Sequence, residues 1–433
     1  MGRERREIIN DENNMAEKRQ FDSRLCQKDH LDEIFSLAAQ HHQKGNYKDA
    51  ENLYKQILEV NPTHYQSLGN LGLLAKQFNK YNISKGLLEK AIQTNPNFAN
   101  AHYNLGNVYQ GLGETQQAIN CYQQAIQINP NFTNAHYNLG NTYQELGETQ
   151  QAINCYQRVI QISPNHADTY HNLGVLMKQV GETQQAINYY QQAIALYDHV
   201  LISNPNDQRA HTSRQSTLHL LNSQVGVTTK TAPKHYIQSL FDDYAKRFDH
   251  HLTETLDYKV PQLLKNRLAT QLGSNLTFDM AIDLGCGTGL SGEAFRPICR
   301  QLVGIDLSPK MIEKAEKKQV YDSIENGEIN KYLERNSEKY DLFIATDLLI
   351  YVGDLTRLFS NVSKASKSKA IFLFSTESVK NIDYILTSEV RYAHSTDYIN
   401  QLAKLHKFNI LRVENTTIRK KVEGQLFILQ RLE

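Results

Sequence analysis

The sequence predicts a two-part chain: an all-α solenoid of stacked helix pairs, followed by an α/β domain with a doubly wound, mostly parallel sheet. Three observations predict it. Pro62, Pro96, Pro130 and Pro164 recur every 34 residues. An apolar run from Phe278 to Leu284 opens into a turn with alternating glycines at Gly285, Gly287 and Gly289. A second apolar run, Leu302 to Ile305, ends on a carboxylate, Asp306, 17 residues beyond Gly289.

At 433 residues the chain exceeds what one core ordinarily serves, and a prior of roughly 150 residues per domain gives two or three. Lysine plus arginine number 47 against 46 acidic residues. No long-range field draws the chain to nucleic acid or an anionic membrane. Cys26, Cys121, Cys155, Cys286 and Cys299 are odd in number and lack metal-ligand spacing, which predicts a reducing compartment and no metal. Residues 1–30 mix both charges without the apolar core of a signal peptide, so a charged, disordered leader is expected. The chain starts Met1-Gly2, but Arg6 stands where myristoylation wants Ser or Thr, and no apolar run is long enough to span a bilayer. The expectation is a cytoplasmic chain with no membrane partner.

The 34-residue step is shared by Leu37-Ala38, Leu71-Gly72, Leu105-Gly106, Leu139-Gly140 and Leu173-Gly174. A fixed period of this length means stacked helix pairs. Small residues (Gly106, Ala118, Ala125) mark close helix approach, Gly113 turns the chain, and Pro130 ends the second helix because proline lacks an amide hydrogen. The unit resembles the tetratricopeptide repeat. Five copies are expected over 31–204 (31–64, 65–98, 99–132, 133–166, 167–204), then a capping helix and polar linker over 205–235. The last proline arrives late, at Pro205, which predicts a longer final helix. Copies 97–130 and 131–164 differ at few positions, a sign of recent duplication.

In this family the first helix of each repeat lines the concave face. Asparagine recurs there at Asn70, Asn104, Asn138 and Asn172, flanked one turn away by Asn100, Asn107, Asn134 and Asn141. Such a ladder suits an extended peptide backbone. Simple copying of a tolerated polar residue explains it equally well. The lysines and arginines of the family's clamp for acidic C-termini are absent.

The α/β domain is expected over 236–433. Phe241, Tyr244 and Phe248 form one helical stripe, which suits either core or a lid over a ligand. Glycines in the 285–289 turn permit close backbone approach to a ligand, and Asp306 can accept both hydroxyls of a ribose. Asp283, two residues before the turn, would hold an ammonium group but repel a pyrophosphate. Leu290 also stands where a dinucleotide turn needs its late glycine. The run Asp283-x-Gly285-x-Gly287-x-Gly289 resembles the first motif of the Rossmann-like class I S-adenosylmethionine-dependent methyltransferases. Strands then follow in order at 302–306, 340–347 and 370–375, with an antiparallel pair at 410–413 and 426–429. The resemblance implies a seven-stranded, mostly parallel sheet with an antiparallel terminal strand.

It also implies S-adenosylmethionine as cofactor, held by Asp283, Gly285, Cys286, Gly287, Gly289, Asp306, Leu307, Met311, Glu328, Ile329 and Asp347, with Tyr244 and Phe248 as lid. Cys286 needs only its small size. Glu328-Ile329 is expected at the end of the third strand. The Phe-Asp-Asp-Tyr-Ala helix and Arg391-Tyr392-Ala393-His394-Ser395 resemble bacterial predicted methyltransferases with tetratricopeptide repeats. Asp347 and Tyr351, beyond the fourth strand, are expected near the transferred methyl. Leu348 and Leu349 replace the Pro-Pro of the nucleobase-methylating motif, which argues against nucleic acid. His394 is read either as a base, with Tyr392 lining the acceptor pocket, or as a packing residue.

The expected function is S-adenosylmethionine-dependent methyl transfer, with repeats that recruit a peptide or protein acceptor. Two alternatives stay open: an interaction scaffold with a silent, nucleotide-binding domain, and a small-metabolite methyltransferase whose repeats serve assembly.

Overall fold

The computed structural model describes residues 30–420 and 422–433, so the leader expected over 1–30 lies outside the described residues but for His30. The chain divides into two compact units, one ending at Leu176 and one running Met177–Glu433.

The first unit is a run of paired helices: α1 over 30–43, then α2 (Tyr47–Val60), α3 (Tyr65–Gln77), α4 (Tyr81–Thr94), α5 (Ala99–Leu112), α6 (Thr115–Ile128), α7 (Thr133–Glu145), α8 (Thr149–Ile162) and α9 (Ala167–Gln179), on which it ends. Gly113 and Gly147, both at φ +78°, turn the chain within their pairs. Tyr122 and Tyr156 are fully buried. A Cβ at Gly106 would stand 2.6 Å from the Tyr122 ring, and one at Gly140 2.7 Å from the Tyr156 ring. Gly106 and Gly140 are thus each the seat of a tyrosine, whereas Gly72 seats Leu88.

The second unit opens with α10 (Thr183–Ser203), the expected long helix at 21 residues, and α11 (Gln208–Val225). The stretch after α11, expected as a polar linker, is bonded to the rest of the second unit. Gln224 Nε2 donates to the Ser388 carbonyl at 2.9 Å, the Thr229 and Tyr392 hydroxyls pair at 2.5 Å, and the Ala232 amide donates to the Tyr351 carbonyl at 3.2 Å. Backbone groups beside a sheet find partners there, and polar composition alone does not reveal this.

Among the described residues the sheet has nine strands: β1 (Phe278–Leu284), β2 (Cys299–Asp306), β3 (Ser323–Asn326), β4 (Tyr340–Ala345), β5 (Ser366–Ser378), β6 (Tyr384–Leu386), β7 (Tyr392–His394), β8 (Phe408–Arg419) and β9 (Val422–Arg431). Their order is β3-β2-β1-β4-β5-β7-β6; β9 pairs antiparallel with β5, and β8 pairs with β9. The seven expected strands are joined by the hairpin β6–β7, which extends the end of β5.

Helices α12 (Lys234–Tyr244), α13 (Phe248–His250), α14 (Val260–Leu272), α15 (Leu290–Phe295), α16 (Pro309–Lys318), α17 (Ile329–Arg335), α18 (Thr356–Ala365) and α19 (Thr396–Leu405) complete the unit. The central strands alternate between two cores. Phe343 and Phe372 face one with Phe359 and Leu402, whereas Ile344 and Leu373 face the other with Leu264 and Phe295. Both faces are covered, so these strands are apolar throughout and their carboxyl ends are left to carry polar chemistry.

Candidate active site at the carboxyl ends of the sheet

The glycine turn after β1 uses backbone geometry that side chains disfavour, with φ +76° at Gly285, +53° at Gly287 and +93° at Gly289. Amides of Gly285 and Cys286 donate to the Ile305 carbonyl at 2.9 and 3.0 Å, pinning the turn to β2. Asp306 completes the brace: Oδ2 accepts the Gly287 amide at 2.9 Å and Oδ1 the Ser308 amide at 2.8 Å. Burial raises its pKa, and those amides oppose the rise. Asp283 is 0% exposed; its Oδ2 accepts the Tyr321 hydroxyl at 2.7 Å and its Oδ1 has no partner. Burial pushes this carboxyl up to about 7. Cys286 is buried with its thiol held well above the usual range by burial, chemistry suited to a spacer rather than a nucleophile.

The aromatic stripe lies over this turn. A Cβ at Gly287 would stand 3.9 Å from the Phe248 ring, and Tyr244 packs on Phe248 at 5.1 Å between centroids. Two carboxylates fasten the segment. Asp242 Oδ1 accepts the Ser308 hydroxyl at 2.6 Å, while Asp249 accepts the Thr288 hydroxyl and lies 3.0 Å from Lys318 Nζ. Neither was singled out from the sequence, although Asp242 sits within the Phe-Asp-Asp-Tyr-Ala helix.

Ser308 caps α16 through the Met311 amide at 3.2 Å, and Met311 is buried; Leu307 is half-buried, its carbonyl accepting Asn326 Nδ2 at 3.2 Å. Glu328 and Ile329 are not at the strand end. β3 is a four-residue edge strand that stops at Asn326, opposite Asp306, and Glu328 precedes α17, 3.3 Å from Lys331 Nζ. An edge strand this short has too few apolar positions to mark its end.

Asp347 sits just past β4 at φ +57°. Its amide donates to Ser375 Oγ at 3.1 Å, its Oδ2 lies 3.3 Å from Arg419 Nη1, and its Oδ1 is buried without a partner. Burial raises its pKa, opposed by Arg419 and Arg391. Arg419, 6% exposed, also donates to Glu377 Oε1 at 2.7 Å, and Arg391 Nε lies 3.3 Å from the same oxygen. This buried charge cluster was invisible in the sequence, where Arg419 falls in an apparently polar connection. Tyr351, Tyr258 and Tyr244 surround it closely enough for Asp347 to raise the pKa of each phenol further than burial already does.

His394 and Tyr392 do not take the acceptor-side roles considered for them. His394 belongs to β7, is 0% exposed, and its Nε2 faces the Val352 and Gly353 carbonyls at 2.9 and 3.1 Å. Burial lowers its pKa to about 4, so it stays neutral and structural. Tyr392 is buried with Ala232 and Leu386 at the α11 junction.

The asparagine ladder is spent largely inside the array. Asn70 Nδ2 donates to Tyr54 at 3.0 Å. Asn138 Nδ2 donates to Asn107 Oδ1 at 2.7 Å, which also accepts the Tyr122 hydroxyl at 2.8 Å. Asn172 Nδ2 lies 3.2 Å from Asn141 Oδ1 and 3.1 Å from Tyr156 Oη. Asn104 is half-buried, while Asn100 and Asn134 are exposed.

Residues 282–374 match a family described as a methyltransferase domain, and 31–57, 87–120, 111–147 and 132–199 match families of tetratricopeptide (TPR) repeats. Fold and matches define a tetratricopeptide-repeat array joined to a methyltransferase-type α/β domain. Malonyl-[acyl-carrier protein] O-methyltransferase of Yersinia pestis is 26% identical over 113 residues, 26% of this chain and 42% of that protein. The chain thus spans less than half the length of this curated relative. Among solved structures, MamA is 28% identical over 37% of this chain and 95% of its own, with a TM-score of 0.35. An S-adenosylmethionine-dependent methyltransferase from Clostridium acetobutylicum ATCC 824 is 20% identical over 44% of this chain and 99% of its own, with a TM-score of 0.36.

Proposed function

We propose that the second unit binds S-adenosylmethionine at the turn after β1 and transfers its methyl group to an acceptor near Asp347 and Tyr351. One observation carries the reading: Asp283 Oδ1, buried without a hydrogen-bond partner beside a glycine cradle. An orphaned buried carboxylate oxygen is costly, and a ligand ammonium would offset that cost. Asp306, at the end of β2, suits the ribose hydroxyls. Leu307, Met311, Glu328 and Ile329 lie on the elements beyond it, on the adenine side. Phe248 and Tyr244 exclude water. When bound, S-adenosylmethionine supplies a methyl carbon on a positively charged sulfur, so the protein's task is chiefly alignment.

The repeats are read as an interaction module for a peptide or protein. A second reading, a small-molecule acceptor with repeats serving assembly, is supported by the amides of Asn138 and Asn172 being donated within the array. Among the described residues no helix is long and apolar enough to cross a membrane. Calorimetry on the full chain tests the central reading. Binding of S-adenosylmethionine and S-adenosylhomocysteine without added metal is expected; binding of neither overturns it.

A further inference from the structure

We infer that the acceptor is a nucleophile that enters with its hydrogen attached, such as a hydroxyl or neutral amine, that Asp347 Oδ1 receives this proton, and that Arg419 and Glu377 hold Asp347 in place. The inference rests on the methyl-transfer reading above and names its acceptor class.

The geometry of the charge cluster carries it. Asp347 Oδ2 is committed to Arg419, whereas Oδ1 is buried and unpartnered, so the carboxylate keeps one oxygen open to accept a proton. An anionic acceptor finds no matching charge. Arg419 spends both terminal nitrogens on Asp347 and Glu377, and Arg391 faces Glu377, so two cations are balanced by two carboxylates. A carboxylate brought here would meet Asp347 at close range in a buried setting, where repulsion is strong. Asp347 also occupies a left-handed backbone position at φ +57°, held by the Ser375 hydroxyl on its amide. Side-chain ion pair and backbone bond together fix the direction of the carboxylate.

In the step, a lone pair of the acceptor atom forms the new bond to the methyl carbon. The carbon–sulfur bond breaks with its electron pair passing to sulfur, and the acceptor's hydrogen leaves as a proton to Asp347 Oδ1. The groups facing Asp347 are Arg419 from β8, Arg391 ahead of β7, Glu377 on β5, and the phenols Tyr258, Tyr351 and Tyr244; Asp283 acts on Tyr258 from β1.

The test incubates full-length protein and methyl-tritiated S-adenosylmethionine with protein and small-molecule fractions of a bacterial lysate, then treats the products with mild alkali. Label that stays bound, as ethers and methylamines do, is expected; label released as methanol marks a carboxyl ester and overturns the inference. Absence of any transfer while the donor still binds overturns the methyl-transfer reading itself, so the two failures are distinct. On the product-forming fraction, Arg419→Gln should move the acid limb of the rate profile about one pH unit higher. Arg419→Lys should restore most of the shift, and Glu377→Gln should move the limb lower. Without turnover, the carbon-13 carboxyl titration of Asp347, assigned by its loss in Asp347→Asn, should move likewise. A limb and titration unmoved in Arg419→Gln and Glu377→Gln, with donor affinity retained, overturn the positioning role.

Discussion

Asp242 Oδ1 accepts the Ser308 hydroxyl at 2.6 Å, so the residue that caps α16 also fastens the aromatic segment over the glycine turn. One oxygen atom therefore serves both the floor of the site and its cover. Asp242→Ala should weaken S-adenosylmethionine binding by about 1–2 kcal/mol, the scale of one lost charge-assisted hydrogen bond. Calorimetry reads the affinity, and faster proteolysis within 241–257 reads the loosened cover. No change in either would mean that the aromatic contacts alone hold the segment.

Asp306 braces the turn through Gly287 and Ser308, and the proposed function assigns it the ribose hydroxyls as well. Asp306→Ala should cost about 2–4 kcal/mol of donor affinity, because two ligand hydrogen bonds and the brace disappear together. Asp306→Asn separates the contributions: it keeps an acceptor for one amide but lacks the charge, and an intermediate loss is expected by the same titration.

Donor affinity should depend on pH through Asp283. Burial pushes its carboxyl up to about 7 in the ligand-free protein, while a ligand ammonium favours the ionised form. Affinity should then fall by up to tenfold per pH unit below about 7 and level off above it, with proton release seen as buffer-dependent heats. Asp283→Asn should flatten the dependence. For folding the sign is reversed: a carboxyl raised in the native state contributes stability below its unfolded value near 4, and that stability is lost as pH rises towards 7. Flat affinity between pH 5.5 and 8 would contradict the assignment.

Asn138→Ala combined with Asn172→Ala should lower the stability of the array by about 2–4 kcal/mol in urea titrations, because each change leaves buried or half-buried partners such as Asn107 and Tyr156 with fewer bonds. Read from sequence, exposed groove amides would contribute little. Asn100→Ala, at an exposed position, is the control and should stay within about 0.5 kcal/mol of the parent. Equal stability of all three proteins would return the ladder to the groove surface.

The repeat period and the glycine turn were legible because both are backbone demands: a helix pair needs its turn glycine and stop proline at fixed spacing, and the turn after β1 needs three positive φ values. Strands β1, β2, β4, β5 and β9 were legible as apolar runs because two cores bury them, and β8 only through its segment 410–413. β3 was not, since four edge residues carry little apolar signal, and the hairpin β6–β7 hides in three-residue strands rich in tyrosine. Arg419 and Glu377, and the charge role of Arg391, escaped for a different reason. They are distant in sequence, and only strand pairing brings their charges together; nothing local distinguishes them from solvated residues. Asn138 and Asn172 were found, but a shared helical face does not reveal whether an amide points at a ligand or at a neighbouring repeat.

The bonds that tie α11 to the sheet, from Gln224 to Ser388 and from Thr229 to Tyr392, have a consequence for inheritance. The near-identical copies lie upstream, at 97–130 and 131–164, where unequal recombination can add or delete a whole helix pair without touching any residue of that joint. Array length is thus a heritable variable decoupled from the chemistry of the sheet. Descendants of this gene should differ in the number of their middle repeats far more readily than in the length of the segment 224–229, whose bonds seat the β6–β7 hairpin.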